Sequence, residues 1–127
     1  MIAQILAADD DADVLSLLRD YLTEKGHRLI TVSDGVALAH KAAEHVPHLI
    51  ITDIQMPGSY GSSAYEVLQK DPKTSRIPII FMSAHDEAKV AKLLPKDPKT
   101  RFLRKPLELE KLNKTIVELL PLGGYVP

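Results

Sequence analysis

The chain has 127 residues, no cysteine and a formal net charge of -1. That length supports one domain burying roughly two-thirds of its unfolded surface. The missing cysteines exclude disulfides, thiolate metal sites and thiol catalysis, and the near-neutral charge argues against general nucleic-acid affinity. No apolar run reaches the roughly 18 residues of a membrane span. No basic region followed by an apolar stretch opens the sequence, so no signal peptide is read and a cytoplasmic protein is expected.

Residues 2–8, with Ile2, Ile5 and Leu6, read as a first strand. Val14, Leu15, Leu18, Tyr21 and Leu22 recur at helical spacing, and Gly26 ends that helix. Residues 28–32 form a second, more polar strand. Asp34 is placed to cap a helix whose inner stripe is Ala39, Ala42, Ala43 and Val46, stopped by Pro47. Leu49, Ile50 and Ile51 make an uninterrupted apolar strand, as expected of a central position covered on both faces. Pro57-Gly58 marks a turn, and a helix follows around Ala64, Tyr65 and Leu68, ending near Asp71-Pro72. Residues 77–82 are a further apolar strand. Asp86 is placed to cap a short helix through Leu94, broken by Pro95. Residues 101–104 form a last strand flanked by Arg101 and Arg104, and Leu109, Leu112, Ile116, Leu119 and Leu120 line a closing helix.

Strands alternate with helices throughout, which predicts an α/β fold with a doubly wound five-stranded parallel sheet. The two most polar strands, 28–32 and 101–104, belong at the edges. That favours the order 2-1-3-4-5 with right-handed crossovers, a flavodoxin-like (βα)5 arrangement. Residues 1–120 form the domain, and residues 121–127 read as a loose tail.

In such a sheet, ligands bind outside the carboxyl ends of the strands. Asp9 and Asp10, Asp53, Ser83 and Lys105 all fall there. Four distant stretches of chain thus deliver carboxylates, a hydroxyl and an ammonium to one place. Oxygen ligands, few in number, suit Mg²⁺, which keeps several waters and binds one or two carboxylates plus phosphate. A Lys ammonium is a compact charge suited to a phosphoryl oxygen. Taken singly these residues are ambiguous. One aspartate of the 9–11 triplet could simply cap the next helix, and Asp53 and Ser83 could be turn residues. Lys105 precedes Pro106, a bond that can be cis.

At the stretches ILAADDDADVL, LIITDIQMPGSYG, IPIIFMSAHDE and FLRKPLELEKL the chain resembles the receiver domain of two-component response regulators, including the chemotaxis regulators. The resemblance covers essentially residues 2–120. It implies a phosphoacceptor module of a phosphorelay, charged by a sensor histidine kinase or a histidine phosphotransfer protein. Asp53 corresponds to the phosphoryl acceptor. Asp10 corresponds to a direct Mg²⁺ ligand with Asp9 nearby, and the Gln55 backbone carbonyl to another ligand. Ser83 and Lys105 correspond to the hydroxyl and the cation that meet the phosphoryl group. Phe102 corresponds to the switching aromatic. Gln55 and His85 lie where the family flanks the path of the hydrolytic water, so they are expected to modulate dephosphorylation. The implied module is a self-dephosphorylating acceptor and not a turnover enzyme, with no direct nucleic-acid or membrane partner.

Two departures from the usual pattern stand out. Lys96-Asp97-Pro98-Lys99-Thr100 precedes the last strand, and Pro95 shortens the helix before it. Lys89, Lys92, Lys96, Lys99, Arg101, Arg104 and Lys105 crowd this region with Asp97 as the only acid between them. The stretch is either a solvated face or a docking surface for an acidic partner. Two other readings fit parts of the motif. A haloacid-dehalogenase-type phosphatase also uses strand-end aspartates, with Asp9 and Asp11 at its two-residue spacing, but Asp13 stands where Thr or Val is usual. A flavin-binding module would place a Ser/Thr-rich phosphate loop where this chain has three aspartates.

Overall fold

The computed structural model describes residues 2–56 and 59–126, with the backbone alone over 59–63. The turn expected at Pro57-Gly58 lies outside the described residues. Five parallel strands form one sheet: β1 (Gln4–Ala8), β2 (Arg28–Val32), β3 (Leu49–Asp53), β4 (Ile79–Ser83) and β5 (Thr100–Arg104). Their spatial order is β2-β1-β3-β4-β5, as the polar edge strands imply. Helices α1 (Ala12–Glu24), α2 (Gly35–His45), α3 (Gly61–Lys70), α4 (Glu87–Val90) and α5 (Leu109–Leu119) intervene. A short antiparallel pair, Gln55–Met56 with Ser59–Tyr60, precedes α3.

Side-chain alternation along the strands splits the core in two. Ile5, Ala7, Ile51, Ile80 and Met82 pack with Leu18, Leu22, Leu112, Ile116 and Leu119 on the α1 and α5 side. Leu6, Ala8, Ile50 and Phe81 pack with Leu38, Ala42, Ala64 and Leu68 on the α2 and α3 side. Both faces of the central strands are therefore covered, which explains their unbroken apolar sequence. At roughly 25 cal/mol per Å² of buried apolar surface, these two layers supply the main force holding the strand ends in place.

Local chemistry ends the helices much as expected. Gly26 takes a left-handed φ of 91° directly after the α1 cap residue, and the Asp34 carboxylate accepts the Ala37 N–H at 2.7 Å to start α2. Three expectations need correction. Val46 is not part of the inner stripe of α2. It is exposed in a left-handed conformation (φ 44°), and Leu38 occupies the buried position instead. The helix after Asp86 runs only from Glu87 to Val90 before tightening into a 3-10 turn at Ala91–Leu93. Asp86 does not cap it with its side chain, because that carboxylate pairs with Arg104. Of the tail read as loose, residues 121–125 fold back against the start of β1. Leu120–Gly123 forms a 3-10 turn, Gly124 is left-handed, and the Tyr125 hydroxyl donates to the Ile2 carbonyl. Leu120 is fully buried, so the core itself holds the start of this segment.

Candidate functional site

One local device recurs at three of the strand ends. The Asp9 carboxylate (Oδ1) accepts the Asp11 N–H at 2.9 Å, Asp53 Oδ1 accepts the Gln55 N–H at 2.9 Å, and Ser83 Oγ accepts the His85 N–H at 3.0 Å. Each side chain bonds the amide two residues on and turns the chain out of the sheet. Asp and Ser at these positions therefore shape the loops as well as presenting polar atoms. Asp11 has a separate job. Its Oδ1 accepts the Asp13 N–H at 2.9 Å and caps α1, so the triplet divides into one cap and two cluster members.

Sheet-like bonding continues past the strands. The Asp9 N–H donates to Val32 O at 3.2 Å, Ile54 N–H to Met82 O at 3.0 Å, and Lys105 N–H to Ser83 O at 2.8 Å. These bonds fix the backbone under the polar cluster. The carboxylate oxygens of Asp9, Asp10 and Asp53 can all lie within 4.8 Å of one another. Asp9 is 0% exposed, Asp53 is half-buried and Asp10 is exposed. The Lys105 ammonium sits 2.7 Å from Asp9 Oδ2 and 2.7 Å from Asp53 Oδ2, bridging the two. The Lys105-Pro106 bond is cis.

Charge is not balanced here. Three carboxylates face one ammonium. Burial pushes the Asp9 carboxyl above its ordinary value, against the opposing pull of Lys105 and the Asp11 amide. Burial alone would lower the Lys105 ammonium, but the hydrogen bond to Asp53 and the neighbouring Asp9 charge outweigh it and raise the net value. Asp9 Oδ2 is buried with no aligned hydrogen-bond donor among the described residues, and the adjacent ammonium compensates it by charge alone. A buried, imperfectly satisfied carboxylate oxygen facing two more carboxylates suits a hard cation.

The residues around this cluster behave differently. Ser83 is 5% exposed and closes β4, whereas His85 in the loop beyond it and Gln55 at the start of the short antiparallel pair are exposed, and each engages the site through its backbone N–H. Phe102 is partly exposed on β5 and lines a cavity of about 330 Å³ with Phe81, Leu94, Pro95 and Thr100. Asp97 organises the wall of that cavity. It accepts the Tyr65 hydroxyl at 3.0 Å and the Lys99 N–H at 2.8 Å. Burial, followed by the bond to Asp97, pushes the Tyr65 phenol up to about 12. This Tyr65–Asp97 link spans α3 and the loop before β5. Sequence reasoning missed it because nothing local relates residues so far apart.

The basic stretch is less free than it reads. Lys99 pairs with Asp97, Arg104 with Asp86, and Lys105 with Asp9 and Asp53, while Arg101 donates to the Pro98 and Thr100 carbonyls. Among the described residues, Lys89, Lys92 and Lys96 make no ion pair.

The family described as response regulator receiver domain matches residues 5–117. The chain belongs to that family. Its PilH relative from Pseudomonas aeruginosa is 36% identical over 122 residues, covering 93% of this chain and 98% of PilH. The response regulator PleD from Caulobacter vibrioides is 35% identical over 86 residues, 68% of this chain but only 19% of PleD. Among solved structures, the chemotaxis response regulator CheY4 of Vibrio cholerae superposes with a TM-score of 0.81 at 23% identity, covering 94% of this chain and 99% of that one. The receiver domain of a sensor histidine kinase from Pseudomonas aeruginosa, with a magnesium ion coordinated in its active-site cleft, superposes with a TM-score of 0.83 at 20% identity, covering 95% of this chain and 99% of that one. Membership in the receiver family sets aside the dehalogenase-type and flavin-binding readings. Among the described residues no helix is long and apolar enough to cross a membrane.

Proposed function

We propose that this receiver domain accepts a phosphoryl group on Asp53 from the phosphohistidine of a sensor histidine kinase or histidine phosphotransfer protein. The observation that carries the reading is the Lys105 ammonium held 2.7 Å from both Asp9 and Asp53, with Asp10 completing the acidic cluster. An Asp53 carboxylate oxygen attacks phosphorus in line. The phosphorus–nitrogen bond breaks, and the leaving imidazole retains its electron pair and takes a proton. Positioning and charge neutralisation dominate such transfers. Asp9, Asp10, Asp53 and the Gln55 backbone carbonyl are the groups that would hold Mg²⁺, whose part is to offset the negative charge of the incoming phosphoryl group.

The chain's own residues do the rest. The Gln55 N–H orients Asp53 through Oδ1, and Lys105 holds Oδ2. After transfer, Lys105 pairs with a phosphoryl oxygen. Ser83 Oγ accepts from the His85 amide, which leaves its own hydroxyl proton available to the phosphoryl group. Phe102, beside its cavity, is the side chain whose packing changes with that new bond. The signal then passes to an output partner through the surface around residues 84–105. Gln55 and His85, each two residues beyond a strand-end side chain of the site, set the lifetime of the acyl phosphate, so the module dephosphorylates itself slowly and does not turn over substrate. The acting surface is a protein one, with neither nucleic acid nor membrane as direct partner, in a cytoplasmic setting.

Beryllofluoride with Mg²⁺ tests the switching half of this reading. Amide shifts are expected around Asp53 and across residues 84–105 in wild type. In Ser83→Ala the shifts near Asp53 should persist while those across 84–105 shrink. A full wild-type pattern in Ser83→Ala would show that the hydroxyl does not transmit the change.

A further inference from the structure

The amino end of the sheet carries an arrangement unrelated to the acidic cluster. At the start of β1 the carbonyls are met by neighbouring backbone, with the Arg28 N–H donating to Ala3 O at 2.9 Å and the His48 N–H to Gln4 O at 2.8 Å. The N–H groups of the same two residues are instead accepted by imidazoles. Ala3 N–H donates to His27 Nδ1 at 3.0 Å, and Gln4 N–H donates to His48 Nδ1 at 2.8 Å. His27 immediately precedes β2 and His48 immediately precedes β3, the two strands that flank β1. The two contacts therefore lie on either side of β1. Tyr125 adds a third contact. Its ring meets the His48 ring edge-on at 4.8 Å, and its hydroxyl bonds the Ile2 carbonyl.

An imidazole nitrogen accepts a hydrogen bond only while it is unprotonated. Both rings must therefore be neutral, with the proton on Nε2. Protonation sets N–H against N–H and removes the acceptor from a backbone amide, which at the Ala3 site is buried. Around His48 the charged groups that line the adjoining spaces offer no compensation. Arg28 shares a cleft with His48, Ala3 and Gln4, and Lys73 and Arg76 line the neighbouring cavity of about 350 Å³ with His48 and Tyr125. No carboxylate is among the described residues lining either space. Burial holds His27 below its ordinary value of 6.5.

We propose that His27 and His48 form a clasp on the start of β1, each ring accepting a backbone N–H through Nδ1, and that acid opens it at the buried His27 contact. Opening it loosens the start of the strand whose other end delivers Asp9 and Asp10. Because the folded His27 value lies below the ordinary one, the stability it contributes is present above about pH 6.5 and is lost as pH falls through the folded value.

The tautomer of each ring in wild type, read from long-range ¹⁵N–¹H couplings, is the first test, and the Nε2–H form is expected for both at neutral pH. The double variant His27→Asn/His48→Asn is the second, since an Asn carbonyl presents an acceptor in place of Nδ1 and does not titrate. Amide protection at Ala3, corrected for intrinsic rates, is expected to fall about tenfold between about pH 7.5 and about pH 5.5 in wild type and to stay within about twofold in the variant. The Asp9 and Asp10 amide signals should follow the histidine titration in wild type only. An Nδ1–H tautomer at either ring, an equal loss of protection in both proteins, or Asp9 and Asp10 signals indifferent to the histidines would overturn the proposal. If the variant does not fold, the wild-type tautomers decide the question alone.

Discussion

At the carboxyl end of the sheet three carboxylates gather around one ammonium, whereas at the amino end two neutral rings satisfy two backbone amides. Both ends use side chains to finish a ladder that the strands leave incomplete. Only the first leaves charge unbalanced. That imbalance is what a purely structural site has no reason to keep, because like charges a few ångströms apart work against folding. A ligand that brings positive charge, followed by a group that Lys105 can pair with, relieves it.

The comparison breaks most visibly at Lys105. Lys105→Met leaves the buried Asp9 without its counter-charge and is expected to cost about 3–5 kcal/mol, measured by urea denaturation. Adding Asp9→Asn should recover most of that loss. A Lys105→Met protein within about 0.5 kcal/mol of wild type would mean that the ammonium does not hold Asp9 in place.

Metal should relieve the same strain from outside. At a Mg²⁺ concentration about tenfold above its Kd, wild type is expected to gain about 1.4 kcal/mol of stability by mass action. Asp10→Asn should lose most of that gain. Equal gains in the two proteins would remove Asp10 from the metal site.

Asp9→Asn sharpens the same point with a smaller effect. Burial raises the folded Asp9 value above 3.8, so the stability linked to this group is greatest below that pH and is lost as pH rises through the folded value. The variant should therefore be more stable than wild type at neutral pH, with the difference closing as pH falls toward the ordinary carboxylate range. Thermal melts of both proteins across that range provide the check, and a constant difference would contradict the assigned direction.

The smallest effect on the fold is expected from Lys89, Lys92 and Lys96. Reversing these charges should change stability by no more than about 0.5 kcal/mol. Association with an acidic partner protein should slow, and its salt dependence should weaken, because exposed charges are screened over about 8–10 Å. Stopped-flow binding at two salt concentrations would show whether these three lysines face the partner.

Much of this was legible because parallel α/β folds write their topology into apolar runs. Leu49, Ile50 and Ile51 read as a doubly covered strand, and the polar character of residues 28–32 and 101–104 put those strands at the edges. The residues at the strand ends followed from that order. What stayed hidden depends on contacts between distant positions. Nothing in the aspartate triplet says that Asp9 is the fully buried member and Asp11 the cap, since that follows from strand parity and from where Lys105 arrives. The Tyr65–Asp97 bond and the two histidine acceptors are invisible for the same reason. Asp86 and Val46 misled because a good cap residue and an apolar residue at helical spacing each had a stronger alternative, an arginine partner in one case and a left-handed helix end in the other.

The central claim is that Asp53 is the residue that receives the phosphoryl group. Mass spectrometry of the intact and proteolysed protein, after incubation with acetyl phosphate and Mg²⁺, tests it most directly. One alkali-labile phosphoryl group on the peptide containing Asp53, and none on the Asp53→Ala protein, is the predicted result. A label retained in Asp53→Ala, or no label on wild type under conditions where Mg²⁺ binds, would contradict the account.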